Sequence, residues 1–472
     1  MDEFILITTE IPGSDEGTIT MNSQGETNLK KNFLMLTVCT VLAVSILSGC
    51  GKSNNDSSNS ATNGNATEKP VEKVTISLLT DNTQDFANVA KAVIDAFQVK
   101  YPHITVEHET RPPGAEGDNF VKTRLSTGDM NDVFFYNSGS LMHALNPEEN
   151  FLDLTNEPFM DNVIDSYKPT VELNGKLYGV PAGSTMGGGW FYNKKVYEEL
   201  GLSVPQTWAE LIANNDKIKE AGIIPVIGTY KDSWTTQLIV LADYYNVHAL
   251  NPTFAEDYTA NKAKYATTPA ALRGFEKLQE IGEKGYQNED FLATTYDTGL
   301  KMLAEGQGAH YPMLTFAIPV LEQNFADLMD NIGFFAQPGD SPDQNGLTVW
   351  MPSGAYISKQ SDHIEEAKLF LEFLTTAEGV AAWSSASKPV GPWAVKGVEV
   401  EDDVAQVVKD MLPYFEENRT VAALEFVSPI KGPNLPQFTV EVGAGINDAL
   451  NAAKGYDKDV EKQAQQLGLE GW

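Results

Sequence analysis

From residue 74 onward the chain alternates between two hydrophobic periods, and that alternation restricts the folds open to it. Val74, Ile76 and Leu78 recur at every second position, the spacing of a half-buried strand. Phe86, Val89, Ala90, Val93, Ile94, Phe97 and Tyr101 then follow helical spacing, and Pro102 ends the helix. Further strands are expected at 104–107 and 132–136, with a helix around 120–125 between them. Strand, helix, strand, helix, strand is the order of a parallel sheet covered by helices. The pattern then resumes. Helices expected at 207–221, with Thr207 as N-cap, and at 234–245 enclose a strand at 223–227. Leu272, Phe275, Leu278 and Ile281 share one face of a further helix. Short strands are expected at 309–312, 332–336 and 355–358, a helix at 364–374, and a helical end at 436–467. Such a length exceeds the size at which single cores stop growing. The pattern implies two α/β units joined by more than one crossing of the chain.

The segment before this pattern has a different character. Lys30 and Lys31 precede an apolar run at 33–47, which closes on Leu47-Ser48-Gly49-Cys50. The run is short for a membrane span, which needs roughly 20 residues. A positive start, an apolar middle and small residues before a cut make a secretory signal. With a cysteine directly after Leu-Ser-Gly, it resembles a bacterial lipoprotein signal. The resemblance implies cleavage before Cys50, lipid on Cys50, and a membrane-anchored chain on the extracytoplasmic face. Residues 1–29 fit no part of a signal, and Met21 would give a leader of ordinary length. Residues 51–73 are rich in Ser, Asn, Thr and Gly and cannot bury a core, so they read as a flexible tether.

The chain has two cysteines, and Cys39 falls within the apolar run. Removal of residues 1–49 and lipidation of Cys50 leave no pair to oxidise, so stability must come from packing. Net charge is −32 over the chain, and the six acids and two lysines of residues 1–49 leave −28 for the rest. Such a field repels phosphate backbones and excludes nucleic acid as a partner. The acidity otherwise reads as solubility outside the cell.

Several segments then occur in a consistent order. They are Asn174-Gly175-Lys176-Leu177-Tyr178-Gly179-Val180-Pro181, Phe191-Tyr192-Asn193-Lys194 and Pro205-Gln206-Thr207-Trp208-Ala209-Glu210-Leu211. Lys301-Met302-Leu303-Ala304-Glu305-Gly306-Gln307-Gly308-Ala309 follows, then 364–374 with Thr376-Ala377-Glu378-Gly379, then Pro433-Asn434-Leu435-Pro436-Gln437. Together they resemble the extracellular solute-binding proteins of ABC importers, the family that includes maltose-binding protein. The resemblance implies an α/β, two-lobed periplasmic-binding-protein-like fold, each lobe a mostly parallel sheet flanked by helices. It places the first lobe at 74–181 and 337–381, the second at 182–336 and 382–472, and hinge crossings near Pro181, Ala336 and Ala381. It also implies a monomer without cofactor or catalysis. Such a protein closes on a carbohydrate and presents it to permease subunits.

A saccharide has C–H faces and a rim of hydroxyls, so its site needs aromatic platforms and polar groups that satisfy those hydroxyls. Trp190, Trp234, Trp350 and Trp393 stand in Gly-, Pro- or Ser-rich contexts and are candidate platforms, whereas Trp208 at a helix start reads as packing. Trp234 occupies a position where the family places a stacking aromatic; the alternative is a core residue. Tyr136 ends an apolar strand where the family has a ligand-facing aromatic. Asp81 and Asn82 follow the first strand, at the carboxyl edge where parallel sheets bind ligands; the alternative for Asp81 is a helix cap. Ser184 and Thr185 fall just after the first crossing, before Gly187-Gly188-Gly189, which permit close backbone approach and hinge freedom. Three departures weaken the likeness to binders of linear maltodextrins. Met313 stands where a stacking Trp is expected, Asn137-Ser138-Gly139-Ser140 replace an acid and an Arg, and 438–442 lacks the expected aromatic.

No Gly-x-Ser-x-Gly elbow is present, and the six histidines have no metal-ligand spacing. The alternatives that keep the fold are an organic anion or polyamine as ligand, or a sensor lipoprotein. The alternative that changes the chemistry is a surface-tethered glycosidase.

Overall fold

A computed structural model describes residues 73–112 and 114–472. The expected leader, the tether and Cys50 lie outside the described residues. In chain order the main strands are β1 (Val74–Asp81), β2 (Ile104–Arg111), β3 (Val133–Tyr136), β4 (Gly179–Ala182), β5 (Met186–Asn193) and β6 (Ile224–Val226). They continue with β7 (Gly308–Leu314), β8 (Ile332–Ala336), β9 (Leu347–Trp350), β10 (Ser353–Ile357) and β11 (Thr420–Ala422). One sheet has the order β2-β1-β3-β10-β4. The other has the order β11-β9-β5-β7-β6, with β8 paired to β5 beside β9.

Each sheet is parallel except for one strand. In the first, β10 runs against β3 and β4. In the second, β5 runs against β7, β8 and β9. Both odd strands arrive directly from the other sheet. β5 follows β4 after residues 183–185, and β10 follows β9 after residues 351–352. A strand that enters at the carboxyl edge of a parallel sheet must run backwards through it. The two carboxyl edges therefore face one another, and the molecule has two lobes.

Helices cover both lobes. α1 (Gln84–Lys100), α2 (Gly114–Thr127) and the short α3 (Ser140–His143) follow the first three strands. The second lobe carries α4 (Trp208–Glu220), α5 (Pro269–Glu283) and α6 (Tyr296–Ala304). α7 (Ile364–Leu374) and α8 (Ala377–Ala386) return to the first sheet, where α8 packs on α1. α9 (Gln406–Glu416), α10 (Leu424–Val427), α11 (Leu435–Gly443) and α12 (Ala449–Gln466) complete the chain, with α11 and α12 packed on α5. Thr207 caps α4 as expected, its hydroxyl accepting the Glu210 N–H at 3.2 Å.

Four expectations change. The return expected near Ala336 comes later, because β9 still pairs with β5 in the second sheet. The helix expected at 234–245 is a 3₁₀ turn, Ser233–Gln237, followed by two short helices, Leu238–Ala242 and Tyr244–Leu250. The helical end expected at 436–467 is two helices, α11 and α12. The glycines at 187–189 belong to β5, not to a hinge loop. A Cβ on Gly188 would lie 2.2 Å from the Trp350 ring, and one on Gly189 would lie 2.4 Å from the Phe335 carbonyl oxygen. Glycine is required here for close approach of neighbours.

The second lobe holds a buried polar network. Lys277 donates to Asp243 and to the Pro338 carbonyl at 2.8 Å, both side chains about 1% exposed. Asn246 donates to the same carboxylate oxygen at 2.6 Å. Such a pair costs desolvation but is far costlier to break than to keep.

His310 on β7 is fully buried. One ring nitrogen lies 2.9 Å from the Pro225 carbonyl oxygen and the other 2.6 Å from the Tyr197 hydroxyl. The carbonyl can only accept, so Nδ1 carries the proton and Nε2 accepts from the tyrosine. Burial pushes the imidazole pKa down to about 3 from its ordinary value of 6.5. Between those values the unfolded chain binds the proton and the folded chain does not, so stability falls as pH falls through that window. The slope from this group is about 1.4 kcal/mol per pH unit. Thermal melting of the chain at stepwise lower pH should show this loss between pH 6.5 and 3. His310→Gln should have a lower melting temperature at neutral pH and a shallower decline.

Candidate ligand cleft between the lobes

The facing carboxyl edges carry different chemistry. On the first lobe, Asp81 ends β1 and its Oδ1 accepts both the N–H of Thr83 at 3.0 Å and its hydroxyl at 2.6 Å. Those bonds shape the turn leading into α1, whose N-cap is Thr83 with no side-chain cap bond, so Asp81 does not cap the helix. Asn82 is exposed beside it. Tyr136 ends β3 but is only 2% exposed, donates its hydroxyl to Asp118 at 2.9 Å, and lies under the Arg111 guanidinium at 5.4 Å. It props a polar wall and is no open platform. Burial and the adjacent Asp118 carboxylate raise its phenol pKa. Arg111 itself is buried, and its Nε has no hydrogen-bond partner. Asn137 is exposed and lines a cavity of about 150 Å³ with Met186, Trp350, Ser353 and Phe426, residues drawn from both lobes.

On the second lobe three half-buried aromatic rings come from three separate segments. Trp234 lies on the 3₁₀ turn Ser233–Gln237 after β6, Tyr296 opens α6, and Phe316 lies on the turn Thr315–Ala317 after β7. Ring centroids are 5.3 Å apart for Trp234–Tyr296, 5.7 Å for Trp234–Phe316 and 6.0 Å for Tyr296–Phe316. Asp232 holds the group in register by accepting the Tyr296 N–H at 2.7 Å. The Tyr296 hydroxyl is buried with no partner. Burial raises its pKa, so it is neutral and able to donate.

Trp350 bounds the same gap. It is 6% exposed and donates its indole N–H to Glu425 at 2.6 Å, so it is a wall of the cavity.

The remaining sequence candidates stand elsewhere. Trp190 is fully buried in the second-lobe core, parallel to Phe335 at 6.4 Å and bonded through its indole N–H to Gln337. Its Gly-rich context reflects tight strand packing, not a loop. Met313 is also fully buried, within β7. The aromatic ring at this edge is Phe316, three residues on, where β7 has ended. Ser184 and Thr185 are structural parts of the crossing. Thr185 donates its N–H and its hydroxyl to the Pro392 carbonyl, each at 2.8 Å, and the Ser184 hydroxyl accepts the Val390 N–H at 3.1 Å. Trp393 pairs with Ser184 across that crossing and packs with Val380 and Val395.

Sequence reasoning missed Tyr296 and Phe316. Phe316 carries a usable signal, since it follows an unbroken buried strand within a Thr-Phe-Ala turn. Among the described residues no group of His, Cys, Asp or Glu is placed to hold a metal ion.

The family model for bacterial extracellular solute-binding proteins matches residues 80–381. The chain belongs to that family. It is a binding protein and not an enzyme. The multiple sugar-binding protein of Streptococcus mutans serotype c is 26% identical over 343 residues, covering 71% of this chain and 78% of its own. An uncharacterised ABC transporter extracellular-binding protein of Pyrococcus horikoshii is 21% identical over 329 residues, covering 68% and 74%. A chitin oligosaccharide binding protein of known structure superposes with a TM-score of 0.69 at 22% identity, over 83% of this chain and 99% of that one. At that identity the likeness shows the fold.

The placements separate two tryptophans by their effect on stability. Trp190→Ala should cost about 3–5 kcal/mol, the range for emptying a buried aromatic site. Trp234→Ala should cost less, about 1–2 kcal/mol, as for a half-buried side chain packed on the edge of the core. Denaturant titration of both variants measures the contrast.

Proposed function

We propose that this solute-binding protein captures a saccharide in the interlobe cleft and delivers it to the permease subunits of an ABC importer, while held to the membrane by lipid on Cys50. The observation that carries the reading is the pairing of walls. Trp234, Tyr296 and Phe316 offer ring faces on one lobe, and Asp81, Asn82, Arg111 and Asn137 offer polar groups on the other. Ring faces match C–H faces, and polar groups that lose water must find hydroxyl partners. Only the closed form lets one ligand touch both walls, so binding shifts the chain toward closure. The names of the relatives support a sugar and an ABC importer. The lipobox-like Leu-Ser-Gly-Cys supports the anchor, and no described helix is long and apolar enough to cross a membrane. On this reading the protein acts as a monomer and the lobes are divided at residues 183–185, at 351–352 and within 387–405.

A thermal-shift screen of the purified chain against sugars, amino acids, polyamines and organic acids tests the ligand class. A saccharide at 100 times its dissociation constant should add about 2.7 kcal/mol. Trp234→Ala should weaken that saccharide at least tenfold, about 1.4 kcal/mol. A shift with organic acids or polyamines and none with any sugar would contradict the reading.

A further inference from the structure

A second cavity, about 350 Å³ in volume, lies wholly within the second lobe and shares no residue with the aromatic group or with the cavity beside Trp350. The chain builds it by a detour. β8 pairs with residues 193–189 of β5 and β9 with residues 188–186, so residues 337–346 leave the sheet and return one position along the same strand. Asp340 and Gln344 on the detour, the short helix Tyr244–Leu250 and the first turns of α5 enclose the space.

The buried polar network of this lobe borders the cavity. Asp243, Asn246 and Lys277 all line it and are 0%, 5% and 1% exposed. Every donor around Asp243 converges on Oδ1: the Lys277 ammonium, the Asn246 amide at 2.6 Å and the Gln337 amide at 3.4 Å. Oδ2 is buried and accepts nothing. A carboxylate only accepts, so the Asn246 contact fixes that amide with Nδ2 toward Asp243. Asn246 Oδ1 is then a second buried acceptor with no donor. Two orphaned acceptors on bonded neighbours call for donors from outside the protein.

We infer that this cavity is a second ligand site, for a small uncharged polyhydroxy molecule such as a polyol or cyclitol. The site stands apart from the interlobe cleft and does not depend on what the cleft binds. Its buried charges cancel in pairs: Lys277 against Asp243, and Arg273 against Asp340 through two bonds of 2.9 Å. A neutral lining that lacks donors takes hydroxyl groups. An ammonium would stand beside Lys277, and an anion would meet unpaired acceptors. Leu250, Leu272 and Pro269 supply apolar walls for C–H groups. The volume falls at the lower end of the range for small-molecule sites.

Saturation-transfer NMR and equilibrium dialysis of the purified chain with glycerol, mannitol and myo-inositol test the site, with putrescine and acetate as charged competitors. At least one polyol should bind, and neither charged probe should displace it. Ala270→Phe, which fills the cavity from a half-buried position at the start of α5, should weaken that polyol at least tenfold. Thr267→Trp, from an exposed position on the same wall, should do the same. Trp234→Ala should leave polyol binding within twofold. Failure of all the polyols to bind overturns the inference. Binding that Trp234→Ala weakens and both cavity variants spare belongs to the cleft and overturns it as well. Displacement by putrescine or acetate overturns the uncharged class.

Discussion

The constraint on which the rest depends is the shortness of the connections between the two sheets. Residues 183–185 join β4 to β5, and residues 351–352 join β9 to β10. An extended residue spans at most about 3.6 Å, so links of this length hold the two carboxyl edges close together. They also force β5 and β10 to run against their sheets, because each enters where its parallel neighbours end. Every loop that follows a parallel strand then opens toward the same gap. The Thr185–Pro392 and Ser184–Val390 bonds tie the first link to the later return of the chain near 390. Binding residues can therefore come from distant parts of the sequence, provided each follows a strand of the right sense.

On the proposed reading, the two edges divide the recognition of one ligand. The second lobe contributes ring faces that lose little when desolvated. The first lobe contributes charged and amide groups whose burial demands partners. Neither edge alone encloses a ligand. On that reading a hinge between them allows entry when open and joint contact when closed, and the closed form is what a transporter would sense. The buried Lys277–Asp243 pair and the His310–Tyr197 contact lie deep in the second lobe. The His310 contact anchors β7, and the Lys277–Asp243 pair ties α5 to the segment after Ala242 and to Pro338.

Much of this fold can be read in the sequence, because the strands and helices of the first lobe follow simple periods. The expected strand at 332–336 and helix at 364–374 match β8 and α7 to the residue. β5 escaped because Gly187, Gly188 and Gly189 look like a loop, whereas they admit Trp350 and the backbone of β8 against a central strand. Trp190 was misread for the same reason. Glycine beside tryptophan signals close packing as readily as exposure, and periodicity cannot separate the two. Of the sequence candidates, Asn137 and Trp350 line the small cavity between the lobes, while Asp81, Asn82 and Trp234 stand in the segments that follow β1 and β6. Phe316 was readable, since it follows a buried strand by two residues, whereas Tyr296 was hidden because it opens a helix and nothing local marks its ring.

A crystal structure of the chain with a bound saccharide tests the central claim most directly. The account requires the sugar between the lobes, one ring face on Trp234 or Phe316, and hydroxyls bonded at the edge formed by Asp81, Asn82 and Asn137. A sugar bound on the outer surface of one lobe, with the aromatic group closed on itself, would contradict it.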